Sequence, residues 1–186
     1  MEAYHIDRFG SVDGIVLRSS EDPRPGRKEI LMQVRATSLN YRDLMVLKGG
    51  GRGPTKLGVV PLSDGAGVVA AIGEGVMRVK LGDRIAGCFH PRWFGGPIKP
   101  DYLTDRLGAN LDGMLAEYAV FSEEAVVSLP SHLSFEEAAT LPCAAVTAWV
   151  ALTGHRRVTA GDTVLIQGSG VSRSLRCNSR GSWALG

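Results

Sequence analysis

The chain is short of cysteine, of long apolar runs and of any decisive charge, and each shortage removes a class of function. Cys88, Cys143 and Cys177 are odd in number and far apart, which favours a reducing, cytoplasmic compartment over a disulfide framework. No stretch approaches the roughly 18 apolar residues of a membrane span. Met1 to Gly10 carries acids and no apolar core, so no secretory signal is expected there. Lys and Arg number 21 against 19 Asp and Glu, but three of the arginines (Arg173, Arg176 and Arg180) lie in the last sixteen residues, which contain no acid. The rest of the chain is near neutral, with none of the clustered positive charge that nucleic acid or a membrane surface would call for.

What is present is glycine, 24 residues of it, set among short β-branched and apolar runs. The first 130 residues read as a turn-rich β domain. Alternation predicts strands over 29–36 and 65–73, a turn and strand over 80–87, and later strands over 113–121 and 125–129. Residues 90–110, with Trp93, Phe94, Tyr102, three prolines and three glycines, read as a long ordered loop. Ser134 is placed to cap a helix whose first turn holds Glu136 and Glu137. A second helical run is expected from Cys143 to Leu152, with Gly154 as its stop.

The segment Asp162-Thr-Val-Leu-Ile-Gln-Gly-Ser-Gly170 has the form of a nucleotide-binding unit: a strand over 163–166, buried on both faces, then a tight glycine turn. A pyrophosphate on Gly168, Ser169 and Gly170 needs the N-terminus of a helix directly behind it. Val171 to Gly186 offers serines, arginines, an asparagine and a glycine with no helical stripe, so this tail is not expected to fold. Back-translated and read two bases along, Gly170 to Gly186 permits Gly-Val-Ser-Leu-Ala-Ala-Leu-Gln-Phe-Ala-Arg-Leu-Leu-Gly-Ala-Arg, a helix of the required kind. The expectation is a reading-frame shift after Gly170 that leaves the nucleotide-binding unit truncated.

Seven blocks in order carry a family resemblance: Asn40-Tyr-Arg-Asp43, Pro61-Leu-Ser-Asp-Gly-Ala-Gly67, Gly73-Glu-Gly75, Val79-Lys-Leu-Gly-Asp-Arg84, Ala138-Ala-Thr-Leu-Pro142, Thr147-Ala-Trp149 and Gly161-Asp-Thr-Val-Leu-Ile-Gln-Gly168. Together they resemble the medium-chain dehydrogenases/reductases, most closely the zinc-free branch near quinone oxidoreductases and NAD(P)-dependent alcohol dehydrogenases. The resemblance covers roughly residues 1–170. It implies a mainly β GroES-like barrel domain over 1–130, followed by the first part of an α/β Rossmann domain over 131–170, with an active site between them. It also implies NADP(H) or NAD(H) as cofactor, a small-molecule carbonyl, enone or quinone as substrate, and a homodimer in intact members.

By that resemblance the three zinc ligands of the metal-bearing branch fall on Asn40, Ser63 and Cys143, and only the cysteine survives. An amide and a hydroxyl replace thiolate and imidazole poorly, so no catalytic zinc is expected. Cys143 alternatively reads as a small buried thiol. Cys88 and His90 are spaced like a metal pair, but two ligands do not make a site. Without zinc, charge developing on the substrate oxygen has to be met by hydrogen-bond donors. Tyr41, Asn40 and Ser63 are the candidates, with Tyr41 first as the group that orients the carbonyl or relays a proton. A ring packed in the barrel is the alternative for Tyr41, and turn or supporting roles are the alternatives for Asp43 and Asp64. Thr147 resembles the position that hydrogen-bonds the nicotinamide carboxamide, or else it is a helix threonine facing core. A non-catalytic GroES-like fragment, serving as an interaction module or an inert remnant, is the competing function.

Overall fold

A computed structural model describes residues 1–50, 53–154, 157–159 and 161–165. The chain divides into two compact units, Met1–Pro142 and Cys143–Gly186.

In the first unit five strands form one antiparallel sheet: β3 (Glu29–Ser38), β4 (Asp64–Ile72), β5 (Arg84–Gly87), β6 (Tyr118–Ser122) and β7 (Val126–Ser128), in spatial order β6-β3-β4-β5-β7. The two outer strands, β6 and β7, are consecutive in sequence and joined by the single 3-10 turn Glu123–Ala125. Four peptide steps reach about 14 Å at most, whereas the edges of a flat five-stranded sheet stand about 19 Å apart. The sheet therefore has to curl until its edges approach, which produces the half-barrel. Irregularities in the β3–β4 register at Leu31/Met32 and Val34/Ala36 give the local bends that such curling requires.

The inside of the curl holds Ile30, Met32, Val69, Ile85, Phe121 and Val126, with Met114, Leu62 and Leu107 plugging it from the loops. Two positions show how tightly the strands approach. A Cβ at Gly67 would lie 2.0 Å from the Gln33 carbonyl oxygen, and one at Gly87 would lie 2.5 Å from Met114 Cε. A separate hairpin, β1 (Glu2–Ile6) with β2 (Ile15–Ser19), joins a second core of Ile6, Val59 and Ala109 with Val46 and Leu47 of helix α1 (Tyr41–Leu47).

The strand expectations over 29–36, 65–73, 80–87 and 125–129 correspond to β3, β4, β5 and β7. The run over 113–121 enters its strand only at Tyr118. Gly113, Met114 and Leu115 instead bind main-chain carbonyls of Val60, Leu62 and Pro61, and so support the entry to β4 rather than extend the sheet. The long loop is ordered, and it contains a short helix, α2 (Pro100–Thr104). Ser134 caps α3 (Phe135–Ala139): its hydroxyl accepts the Glu137 N–H while the Glu137 carboxylate accepts the Ser134 N–H.

The second helical run begins as a π turn over Leu141–Ala145, with Pro142 inside it, and becomes regular only as α4 (Val146–Thr153) before Gly154. The strand expected over 163–166 is not present in its described part. Thr163 to Leu165 belong to no strand, and Leu165 is 80% exposed. A parallel strand exists only by pairing, and no strand pairs with it among the described residues. Gly168, Ser169, Gly170 and the tail from Val171 lie outside the described residues.

Candidate functional site

The register of β3 against β4 sets the site. Ser38 pairs with Asp64 at one end of the ladder, so the chain leaving β3 through Leu39 and Asn40 and the chain entering β4 through Leu62 and Ser63 converge on the same end of the sheet. Asn40 caps α1 from an extended backbone, and the Asp43 carboxylate accepts its N–H at 2.7 Å. The two residues form a capping box that closes the turn, with the Asn40 Nδ2 left over. This Nδ2 is buried and has no partner.

Ser63 and Asp64 are fully buried, and Ser63 Oγ donates to Asp64 Oδ1 at 2.7 Å. The peptide before them is held in a conformation that non-glycine residues avoid: Leu62 has φ +68° while its side chain is 5% exposed. Its surroundings enforce this. The Leu62 carbonyl accepts from Met114 N at 2.9 Å. Gly113 and Gly108 lie so close that added Cβ atoms would stand 1.9 Å from Leu62 O and 2.7 Å from Leu62 N. Backbone strain of this kind persists where the surrounding structure over-determines it, and here it fixes the direction in which Ser63 leaves the loop.

Asp43 and Asp64 are near enough to repel. Burial, with the Asp64 charge as a lesser contribution, raises the Asp43 carboxyl above its ordinary value, against the opposing pull of the Asn40 N–H and Arg42. Arg42 Nη1 donates to Asp43 Oδ1 at 3.2 Å, and its guanidinium lies 4.7 Å from the centroid of the Phe89 ring. Beyond Phe89 the aromatic loop continues through His90, Trp93 and Tyr102, ring against ring. Burial holds the His90 imidazole below its usual value, hence neutral at pH 7, and its Nδ1 lies 3.3 Å from the Asp105 carbonyl oxygen. Burial likewise pushes the Cys88 thiol up, away from the reactive thiolate form. Among the described residues no three His, Cys, Asp or Glu side chains gather as a metal site.

Tyr41 is 78% exposed, so its ring does not pack in the barrel. In the second unit, Thr147 lies on the exposed side of α4, whose buried residue is Ala148, and Cys143 is half-buried in the π turn. The site therefore draws Asn40, Ser63, Asp43 and Asp64 to one end of a sheet, with Tyr41 on the helix that begins there. Sequence reasoning passed over Arg42 and Arg106. In the chain each stands beside an aspartate, Asp43 and Asp105, and carries no local signal of its burial.

Residues 26–131 match the alcohol dehydrogenase GroES-like domain. The chain belongs to the medium-chain dehydrogenase/reductase superfamily. It is 45% identical over 170 residues to a zinc-type alcohol dehydrogenase-like protein of Schizosaccharomyces pombe, covering 88% of this chain and 48% of that one. It is 36% identical over 158 residues to the chloroplastic quinone-oxidoreductase QR1 of Triphysaria versicolor, covering 83% of this chain and 43% of that one. A crystal structure of an NAD-dependent alcohol dehydrogenase superposes with TM-score 0.71 at 31% identity, over 82% of this chain and 46% of that one. The chain thus spans about half the length of the curated relatives it matches. The curled sheet is consistent with the GroES-like domain match.

Proposed function

We propose that this chain carries the substrate-binding half of a zinc-independent NAD(P)H-dependent oxidoreductase acting on a carbonyl, enone or quinone. The observation that carries the reading is the pair at the β3–β4 end: a buried Asn40 Nδ2 with no partner, and a buried Ser63 hydroxyl seated on Asp64. A nicotinamide cofactor, when bound, supplies the hydride. The protein's part is to orient the acceptor and to meet the negative charge that develops on its oxygen. Asn40 Nδ2 is a donor free to do so. Tyr41, exposed at the start of α1, is the group to orient the oxygen or pass it a proton. Ser63 donates to Asp64, so it serves the substrate through reorientation of its hydroxyl.

The donor set does not fit zinc. Asn40 and Ser63 are neutral, oxygen- or nitrogen-bearing groups where the metal prefers thiolate and imidazole, which sets this chain apart from what the name of its Schizosaccharomyces pombe relative suggests. Thr147, Gly168, Ser169 and Gly170 are the residues proposed to hold the cofactor, within a nucleotide-binding unit that begins near residue 131. The composition of the residues after Gly170 does not favour the helix whose N-terminus a pyrophosphate needs, and the shifted reading frame is the proposed origin of that tail.

Quenching of NADPH fluorescence tests this part directly. The chain as it stands should show no saturable binding at micromolar cofactor, and restoring one base after Gly170 should recover it. Micromolar affinity in the unaltered chain would contradict the importance given to the residues behind the glycine turn.

A further inference from the structure

Four buried side-chain polar atoms lack a hydrogen-bond partner among the described residues: Asn40 Nδ2, Arg42 Nη2, Thr55 Oγ1 and Arg106 Nε. Buried polar groups are nearly always paired, and each of these four is able to donate. Contacts link the segments that carry them. Arg106 is 7% exposed, and its Nη2 donates to the Pro54 carbonyl at 3.3 Å, next to Thr55. Leu107 N donates to the Phe89 carbonyl at 3.3 Å, while the other side of Phe89, its ring, carries the Arg42 guanidinium. Phe89 thus stands between the two arginines and joins them into one neighbourhood.

Arg42 pairs with Asp43, and the Asp64 carboxylate beside them accepts from Ser63. Arg106 forms no ion pair with any described side chain. Among the described residues the Arg106 guanidinium has one hydrogen bond, to the Pro54 carbonyl, and a buried guanidinium so held is costly. A planar oxyanion removes that cost, because it accepts two or more charge-assisted hydrogen bonds from arginine forks and from a hydroxyl.

We propose that Arg42, Thr55 and Arg106 form a binding site for a small oxyanion, the carboxylate or phosphate group of a ligand. Asn40 Nδ2 stands beside Arg42 on the same turn, so a ligand anchored by its anionic end presents its remaining atoms towards the donor assigned above to the reacting oxygen. That the anion is the charged end of the oxidoreductase substrate rests on the proposed function. The site itself does not.

Thermal unfolding of the 186-residue chain with inorganic phosphate or with acetate, against chloride at equal ionic strength, tests the site without any nicotinamide. The expected result is a saturable rise in Tm with a midpoint of about 1 mM, as suits a few charge-assisted bonds to a small ion. Response to phosphate alone assigns a phosphate monoester ligand, and response to acetate alone assigns a carboxylate. In Arg106→Met the midpoint should rise at least tenfold, while Tm without added anion holds or increases because an uncompensated buried charge is gone. Thr55→Val, which keeps the shape, should weaken the response several-fold. No response beyond chloride in the parent chain would overturn the proposal. So would an Arg106→Met variant of lower Tm with an unchanged anion midpoint, which would make Arg106 a structural strut.

Discussion

Glu123 shows how much a single side chain contributes when the backbone is arranged around it. Its carboxylate is 3% exposed and accepts from Lys28 Nζ at 2.9 Å, Met77 N at 2.6 Å and Arg78 N at 2.7 Å. The Lys28 hydrogen bond, then the two N–H groups, hold its pKa down at about 2. A carboxyl depressed in the folded state stabilises fully above its ordinary value near 4.5, and the contribution disappears as pH falls towards 2. Glu123→Gln should therefore lower Tm at pH 7. Parent and variant curves should converge between about pH 4.5 and 2, and a difference independent of pH would show that packing, not charge, makes Glu123 matter. At Leu62 the demand is steric. Gly113→Ala places a Cβ 1.9 Å from the Leu62 carbonyl oxygen, with the Pro61 carbonyl oxygen at 2.5 Å, so the strained peptide that aims Ser63 has to shift. A loss of about 3 kcal/mol in urea unfolding is expected. An unchanged midpoint would mean that the loop relaxes freely and that Leu62 is not held where the site needs it.

Strands and helices differ in how plainly the sequence announces them. The alternation at Ile30, Met32 and Val34 and the glycine-bounded run of β4 were legible because both lie in the curled sheet, where one face is core. The β1–β2 hairpin was not, because Tyr4, Val16 and Leu17 are exposed and its apolar pattern is correspondingly blurred. Helix α1 was missed as well. Its residues were legible as a motif, but its seven-residue length gives periodicity too little room, and it depends on Asp43 closing the turn at Asn40. Ser134 was read correctly as a cap because its chemistry is local. Ser134→Ala should cost about 1 kcal/mol in urea unfolding, with Ser134→Asp largely restoring it. Equal loss in both variants would tie the residue to packing instead.

At the scale of the whole molecule, the order of the seven sequence blocks disclosed the superfamily, and the match over residues 26–131 bears that out. The candidate site was only half legible. The family resemblance pointed to Asn40 and Ser63, whereas the strained Leu62 and the buried Arg106 depend on contacts between segments far apart in the chain. The central claim is that hydrogen-bond donors replace zinc at this site. The measurement is the rate of NADPH- and NADH-dependent reduction of a quinone or enone by the chain with its reading frame restored, before and after exhaustive chelation, in the parent and in Asn40→Ala. The account predicts that chelation leaves kcat unchanged, and that Asn40→Ala lowers it by roughly 10²-fold, the scale of one oxyanion donor. Activity lost on chelation and regained with stoichiometric zinc would contradict it.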